Sequence, residues 1–292
     1  MATYPQEQAR PAVRPTLSER LRGLVPERWY IHVLLWIVCF IIGFPLFYAI
    51  LVATQTNSDI YAYRFLPGSS LPENWNVVMN IAKLGGYMVN SLFIAIVVTV
   101  GKVVLSLLAG LAFVYFRFPG KWLVFGFVLI TLMMPTEILI LALFRLVNSL
   151  GWGNTYLALI VPFLASATGS FLFRQHFANI PSELSEAAQL DGATPMQFLL
   201  RILIPISWNT IGALTVIQFV YVWNFYIWPV LIINGQERQV VQVGLRTLMG
   251  GDTQTRYGPM MLGAVIASIP PVIVFLLLQK QFMSGFTLTR DK

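Results

Sequence analysis

The sequence predicts an all-α integral membrane protein with six transmembrane helices and both termini in the cytoplasm. Three observations lead to this class. Apolar residues make up 57% of the 292 residues and charged residues only 11%. The apolar residues gather into six long runs, each close to the roughly 20 residues that a helix needs to cross the hydrocarbon core. Lys and Arg are shared unequally between the loops on the two sides.

The runs cover about 31–54, 89–115, 122–144, 156–173, 208–233 and 260–280. Residues 1–29 form a polar N-terminal tail rich in Pro and Arg, expected to be flexible up to about residue 15. The first run is too long for a cleaved signal peptide and no small-residue cleavage pattern follows it. Residues 30–285 form one membrane domain and residues 286–292 a short cytoplasmic tail. With the N-terminus inside, the cytoplasmic side holds the tail arginines, Arg117, Lys121, Arg174, Arg201, Lys280, Arg290 and Lys292. Only Arg64, Lys83, Arg145, Arg238, Arg246 and Arg256 fall outside, so the positive-inside rule selects this orientation. The net charge of +7 is therefore accounted for by topology, and nucleic acid is not an expected partner. A single cysteine, Cys39, supports neither a disulfide framework nor a thiolate metal site.

Outside, 55–88 and 234–259 are long enough to pack as a cap or to receive a soluble partner. Inside, only the loop 174–207 is long, and its stretch "SELSEAAQLDGATPMQFLLRILIP" reads as two short helices set at an angle. Pro181 and Ser182 suit a helix start, with the serine oxygen as a cap. Glu183 and Glu186 lie in the first turns, where the helix dipole favours acids. Gly192 suits a left-handed helix end, and Thr194-Pro195 restarts the chain as N-cap and first helical residue. Phe198, Leu199, Ile202 and Leu203 form the apolar side of the second helix, which Pro205 ends. Ala187 and Ala188 leave so little bulk that another protein surface can approach. The competing reading is an amphipathic helix resting on lipid, although such helices usually carry Lys or Arg and bulky anchors rather than acids and alanines.

"ELSEAAQLDGATPMQFLLRILIP" is similar to the EAA loop of ABC-importer permeases, matching at Glu186, Ala187, Ala188, Asp191, Gly192, Ala193, Ile202 and Pro205. The resemblance runs through most of 30–285 and is nearest to the carbohydrate-uptake branch, which includes the maltose and glycerol-3-phosphate systems. "FRFPGKWLVFGFVLITLMMPTE", "SATGSFLFRQHFANIPSELSEAAQLDGATPMQF" and "FVYVWNFYIWPVLII" look most like the second permease of the sn-glycerol-3-phosphate importers. The N-terminal tail departs from that pattern. The resemblance implies a type I ABC-importer permease architecture in the bacterial cytoplasmic membrane. It implies that Glu183, Glu186, Ala187, Ala188, Asp191, Gly192 and Ala193 form a coupling helix and its turn, seated on an ATPase. It further implies a second homologous permease, two ATP-binding subunits and an extracytoplasmic solute-binding protein as partners. The substrate implied is sn-glycerol-3-phosphate or its diesters, with a di- or oligosaccharide such as maltose or trehalose as the alternative.

The chain itself is not expected to hydrolyse ATP or to bind a cofactor. The pairs Gly101-Lys102 and Gly120-Lys121 lack both the glycine spacing and the hydroxyl of a phosphate-cradling loop. ATP and Mg would be used by the partner. Ionisable residues at membrane depth are candidate pathway groups, and Lys102 and Glu137 are two such residues. At ~1.5 Å per residue, Lys102 lies ~20 Å below the outer end of its helix and Glu137 ~10 Å below its own. A direct ion pair between them would thus need an offset of the helices. Glu137 follows Pro135, which frees a carbonyl and suits a kink, so "MMPTE" is either a pathway wall or a hydrogen-bonding step between helices. In "VWNFYIWP", Asn224 and Tyr226 are pathway candidates beside aromatic faces fit for a polyol, with Pro229 able to break the helix. Trp228 reads as part of the interfacial aromatic belt. A self-contained channel or secondary transporter is the alternative of another class, for which one base, one acid and no matching halves are poor support.

Overall fold

The computed structural model describes residues 28–249 and 255–286, except for the side chains of residues 136, 137 and 286. The expected tails therefore lie almost wholly outside the described residues. Among the described residues the chain is helical, with no strand. It divides into two units at Tyr48 and Ala49.

The first unit carries most of α1 (Trp29–Val52), whose apolar side chains are exposed along its length, Trp36 to 77% and Ile42 to 75%. That is the inverse of a water-soluble helix and suits a lipid environment. Along the helix the Phe40 and Phe44 rings meet at a tilt, 6.0 Å apart between centroids.

In the second unit the 55–88 segment does pack as a cap. It holds α2 (Asn57–Tyr61), α3 (Leu71–Asn76) and a π-helical turn, Val77–Ile81. Thr56 caps α2 in a reciprocal box with Asp59, whose carboxyl is held below the usual range by the Thr56 side chain and then by its backbone N–H. Asn74 is buried and donates to the Ala53 and Gln55 carbonyls at 2.9 and 3.2 Å, while the Gln55 amide donates to the Arg64 and Leu66 carbonyls. These side chains satisfy loop carbonyls that no helix would serve.

The membrane core follows. Helix α4 (Leu84–Tyr115) begins five residues earlier than the sequence implies. The Gly85-Gly86 pair reads as loop, but Leu84 is fully buried and holds the first turn in place. The third expected span is two helices, α5 (Lys121–Met133) and α6 (Thr136–Ser149), parted at Met134-Pro135. The fourth comprises α7 (Tyr156–Ile160), a short 3-10 turn Val161–Phe163, and α8 (Ala167–Ala178), which Ser166 caps through the Gly169 N–H at 3.0 Å. Helix α8 runs five residues past the expected end at 173, with Phe173 and Phe177 both fully buried and holding its last turns in the core.

Then come α9 (Ser182–Leu190), α10 (Pro195–Phe198), a π-helical turn Leu199–Leu203 and α11 (Ile204–Ile206). The chain bends by 81° into α12 (Trp208–Trp223). After a break at 224–226, α13 (Ile227–Ile232) leads to α14 (Val241–Thr247) and the long α15 (Tyr257–Phe286). Among the described residues, four helical stretches are long and apolar enough to cross a membrane, or up to six if each of two bent pairs is one span.

Helix α4 lies between α8 and α12, and glycines allow the approach. A Cβ on Gly110 of α4 would stand 2.7 Å from the Phe173 Cβ of α8, and in the same way one on Gly285 of α15 would stand 2.8 Å from the Ala213 Cβ of α12. Two apolar clusters result. One holds Val98, Phe219, Trp223 and Trp228; the other holds Val103, Phe173, Phe177, Phe198 and Leu214. Helices α4 and α12 pass from one cluster to the other between 98 and 103 and between 214 and 219, where Lys102 faces Gln218.

Candidate functional site

The 174–207 loop takes the shape expected of it, with instructive exceptions. Helix α9 closes at Gly192, which adopts φ +72°. The Ala193 N–H donates to the Ala188 carbonyl at 2.9 Å and the Gly192 N–H to that of Gln189 at 3.0 Å. This pair of bonds is the Schellman closure, for which a residue without Cβ is favoured. Thr194 then caps α10 in a reciprocal box with Gln197 and Pro195 occupies its first position.

Three local expectations are corrected. Ser182 is the first residue of α9 rather than its cap, makes no capping bond, and follows Pro181 in the cap position. Pro205 does not stop the second helix at its own position; helical structure continues through Ile206, and the 81° bend follows at Ser207. The alanine pair is split. Ala187 is exposed, whereas Ala188 is buried against Phe173, Phe177 and Phe198, since neighbours on a helix point about 100° apart.

The exposed face of α9 is thus Glu183, Glu186, Ala187 and Leu190, continued by Asp191 and Gly192, with Ala193 half-buried at the turn. Leu190 is 89% exposed, an apolar side chain at the tip of the loop. Behind this face the loop is anchored by aromatic contacts. Phe198 meets Tyr115 edge-on at 5.0 Å, and Tyr115 in turn lies 6.5 Å from Phe177. The apolar side expected of the second helix is present, with Phe198, Leu199 and Leu203 buried and Ile202 half-buried.

Two of the four pathway candidates, Asn224 and Tyr226, line a cavity of about 480 Å³ at the broken end of α12, walled also by Phe163, Tyr221, Phe225 and Trp228. Asn224 and Tyr226 are brought together there. Asn224 is not deep inside a continuous span, since it ends α12, is exposed, donates to the Val220 carbonyl at 2.8 Å and accepts from the Gln242 amide at 3.0 Å. The helix breaks before Pro229, which sits within the first turn of α13. Trp228 is not an interfacial anchor; it is 4% exposed and its indole N–H donates to the Ala158 carbonyl at 2.9 Å.

Lys102 is 6% exposed; its ammonium donates to the Gln218 side-chain oxygen at 2.8 Å and lies 4.6 Å from the centre of the Tyr221 ring. Its partners are therefore an amide and a π-face across α4 and α12. The side chain of Glu137 lies outside the described residues, although α6 reaches the cavity through Ile140. Sequence reasoning missed Tyr221, Gln218, Gln242 and Arg246. Arg246 donates to the Tyr226 hydroxyl, with its guanidinium 5.9 Å from the ring centre. It had been read only as one of the charges of an outer loop. The signal that could have found it is the polar face of the 241–247 helix, where Gln242 and Arg246 are four residues apart.

Broken apolar spans, a rigid protruding loop and a polar-lipped aromatic cavity define a membrane permease. The chain belongs to the family of binding-protein-dependent transport system inner membrane components, whose family model matches residues 102–286. It is an inner-membrane transport subunit of the kind that works with a solute-binding protein. The sn-glycerol-3-phosphate transport system permease protein UgpE of Agrobacterium fabrum is 37% identical over 88% of this chain and 95% of that protein. Its counterpart in Salmonella typhi is 38% identical over 92% of this chain and 98% of that protein. Among solved structures, a bacterial ABC transporter involved in the import of the acidic polysaccharide alginate superposes with a TM-score of 0.74 at 21% identity, over 93% of this chain and 100% of that one. A bacterial alginate ABC transporter in complex with a pentasaccharide-bound periplasmic protein gives a TM-score of 0.57 at 16% identity, over 90% and 96% of the two chains. The self-contained channel or secondary transporter considered from the sequence gives way to this membership.

Proposed function

We propose that the chain is one permease subunit of an ATP-driven importer for sn-glycerol-3-phosphate or its diesters. The substrate follows from the curated relatives, which align along nearly their whole length. Residues 30–285 would form six spans with both termini in the cytoplasm, between an N-terminal tail and a short C-terminal one. A second homologous permease would supply the other half of the path, two ATP-binding subunits would hydrolyse ATP with Mg, and an extracytoplasmic protein would deliver the solute.

The observation that carries the reading is the exposed face of α9, rigidly closed at Gly192 and bonded through Ala188 and Phe198 to the helices of the membrane core. Glu183, Glu186, Ala187, Asp191 and Gly192 would meet the ATPase, and Ala188 and Ala193 would fix the helix from behind. Closure of the ATPase dimer would then move α9 and, through the aromatic cluster, α4, α8 and α12. Lys102, Glu137, Asn224 and Tyr226 are the proposed pathway groups. The same machine carrying a di- or oligosaccharide is the second reading, favoured by the aromatic wall of Tyr221, Phe225 and Trp228.

Gly192 gives a clean test, because a Cβ placed there meets nothing within 4 Å. Gly192→Ala costs only the left-handed strain, about 1 kcal/mol. Gly192→Trp adds bulk that nothing in the chain opposes. In proteoliposomes the tryptophan variant is expected to abolish uptake of labelled glycerol-3-phosphate while the alanine variant keeps most of it. Equal uptake by the wild type and Gly192→Trp would overturn the coupling role.

A further inference from the structure

The cavity at the end of α12 has a charge pattern that the permease reading does not by itself require. Two tyrosines stand in its wall, Tyr221 and Tyr226, and behind each stands a cation that is not itself part of the wall. The Lys102 ammonium lies over the Tyr221 ring at 4.6 Å, and the Arg246 guanidinium bonds the Tyr226 hydroxyl. The two cations come from different directions, one from within α4 and one from α14. Between the tyrosines lies Asn224, tied to Gln242. Neither cation has an ion-pair partner among the described residues, whose one ion pair is Arg64–Asp59, in the cap. A cation buried at membrane depth is costly to keep unless something there uses it.

We propose that this cavity is an anion station on the translocation path, where Arg246 takes the phosphate of a phosphate ester and Lys102 supplies a second positive charge through the Tyr221 wall. The inference rests on the reading of the chain as a phosphate-ester permease and adds the groups that would recognise the phosphate. Arg246 is exposed and its guanidinium offers five donors in a planar fork, of which the Tyr226 hydroxyl engages only part. Lys102 acts at one remove, as a positioning residue, because its ammonium is already bonded to Gln218 and its charge reaches the cavity across a ring. A phosphomonoester carries nearly two negative charges at neutral pH and a phosphodiester one. The monoester therefore needs both cations and the diester chiefly Arg246.

The test uses the whole complex in proteoliposomes, with labelled glycerol-3-phosphate or glycerophosphocholine delivered by the binding protein, and reads solute taken up per ATP hydrolysed. Arg246→Gln is expected to lower this ratio about tenfold for both esters, the loss of one charge-assisted bond, and Arg246→Lys to restore most of it. Lys102→Gln keeps a donor for Gln218 but removes the charge, and is expected to lower the monoester ratio several-fold more than the diester ratio. Arg246 is exposed, so its variants do not depend on refolding a core. An unchanged ratio for both esters in Arg246→Gln and Lys102→Gln overturns the station. Uptake and ATPase falling together, with the ratio constant, also overturns it and makes Arg246 a docking contact for the binding protein. A wild-type complex that carries no phosphate ester overturns the substrate reading itself, a result visible before any variant is made.

Discussion

Gly192 and Thr194 show how a few residues set the geometry of the loop that the account depends on. Thr194 carries both halves of a capping box, so Thr194→Ala is expected to cost about 1 kcal/mol and to loosen α10. A lowered midpoint of thermal unfolding in detergent, with Thr194→Ser close to the wild type, is the check. Lys102 and Gln218 invite a second residue-scale prediction. Gln218→Leu leaves a buried ammonium without its acceptor and is expected to destabilise the protein by about 1–3 kcal/mol. Adding Lys102→Met replaces the pair by apolar side chains and is expected to recover that stability while still impairing phosphate-ester uptake. If the double variant also regained full uptake, the pair would be structural only. At this scale the sequence was legible wherever backbone chemistry is local: a left-handed glycine, a threonine before proline. It was silent about Arg246 and Tyr221, because their meaning comes from neighbours 20 and 119 positions away in the chain, Tyr226 and Lys102.

Among the elements, the spans were legible in position and not in continuity. Apolar length marked each long apolar helix or bent helix pair, but the interruptions depend on where a polar side chain or proline finds a partner. Helix α12 ends at Asn224, whose side chain bonds back to Val220 and across to Gln242, and no count of apolar residues contains that bond. Trp228 was assigned to the membrane surface for a similar reason; only the fold brings the Ala158 carbonyl to its indole. Packing between elements makes its own prediction. Gly110 lies where α4 meets α8, against the Cβ and the backbone of Phe173, so Gly110→Val is expected to force the helices apart at a cost of about 1–3 kcal/mol. Gly126, on α5, has nothing within 4 Å of a Cβ placed there, and Gly126→Val should leave thermal stability nearly unchanged. Similar losses from both would show that the α4–α8 approach is not what the glycine serves.

For the whole molecule, two apolar clusters meet at one polar step, Lys102 to Gln218, and the exposed α9 is bonded into the second of them. On the proposed reading, a displacement received at Glu186 and Leu190 would pass through Ala188 to Phe173, Phe177 and Phe198 and so to both helices that carry the step. The cavity with Tyr221, Asn224 and Tyr226 opens beyond it on α12. In that reading the chain would need no catalytic group of its own, and force would enter at one place and act at another. The most direct measurement is ATPase stimulation of the complex purified with this chain in lipid nanodiscs. Its binding protein would be loaded in turn with glycerol-3-phosphate, a glycerophosphodiester, maltose or trehalose. The account predicts stimulation by the phosphate esters and none by the disaccharides, lost in Gly192→Trp. Stimulation by a disaccharide alone, or the absence of any ATPase from the purified complex, would contradict it.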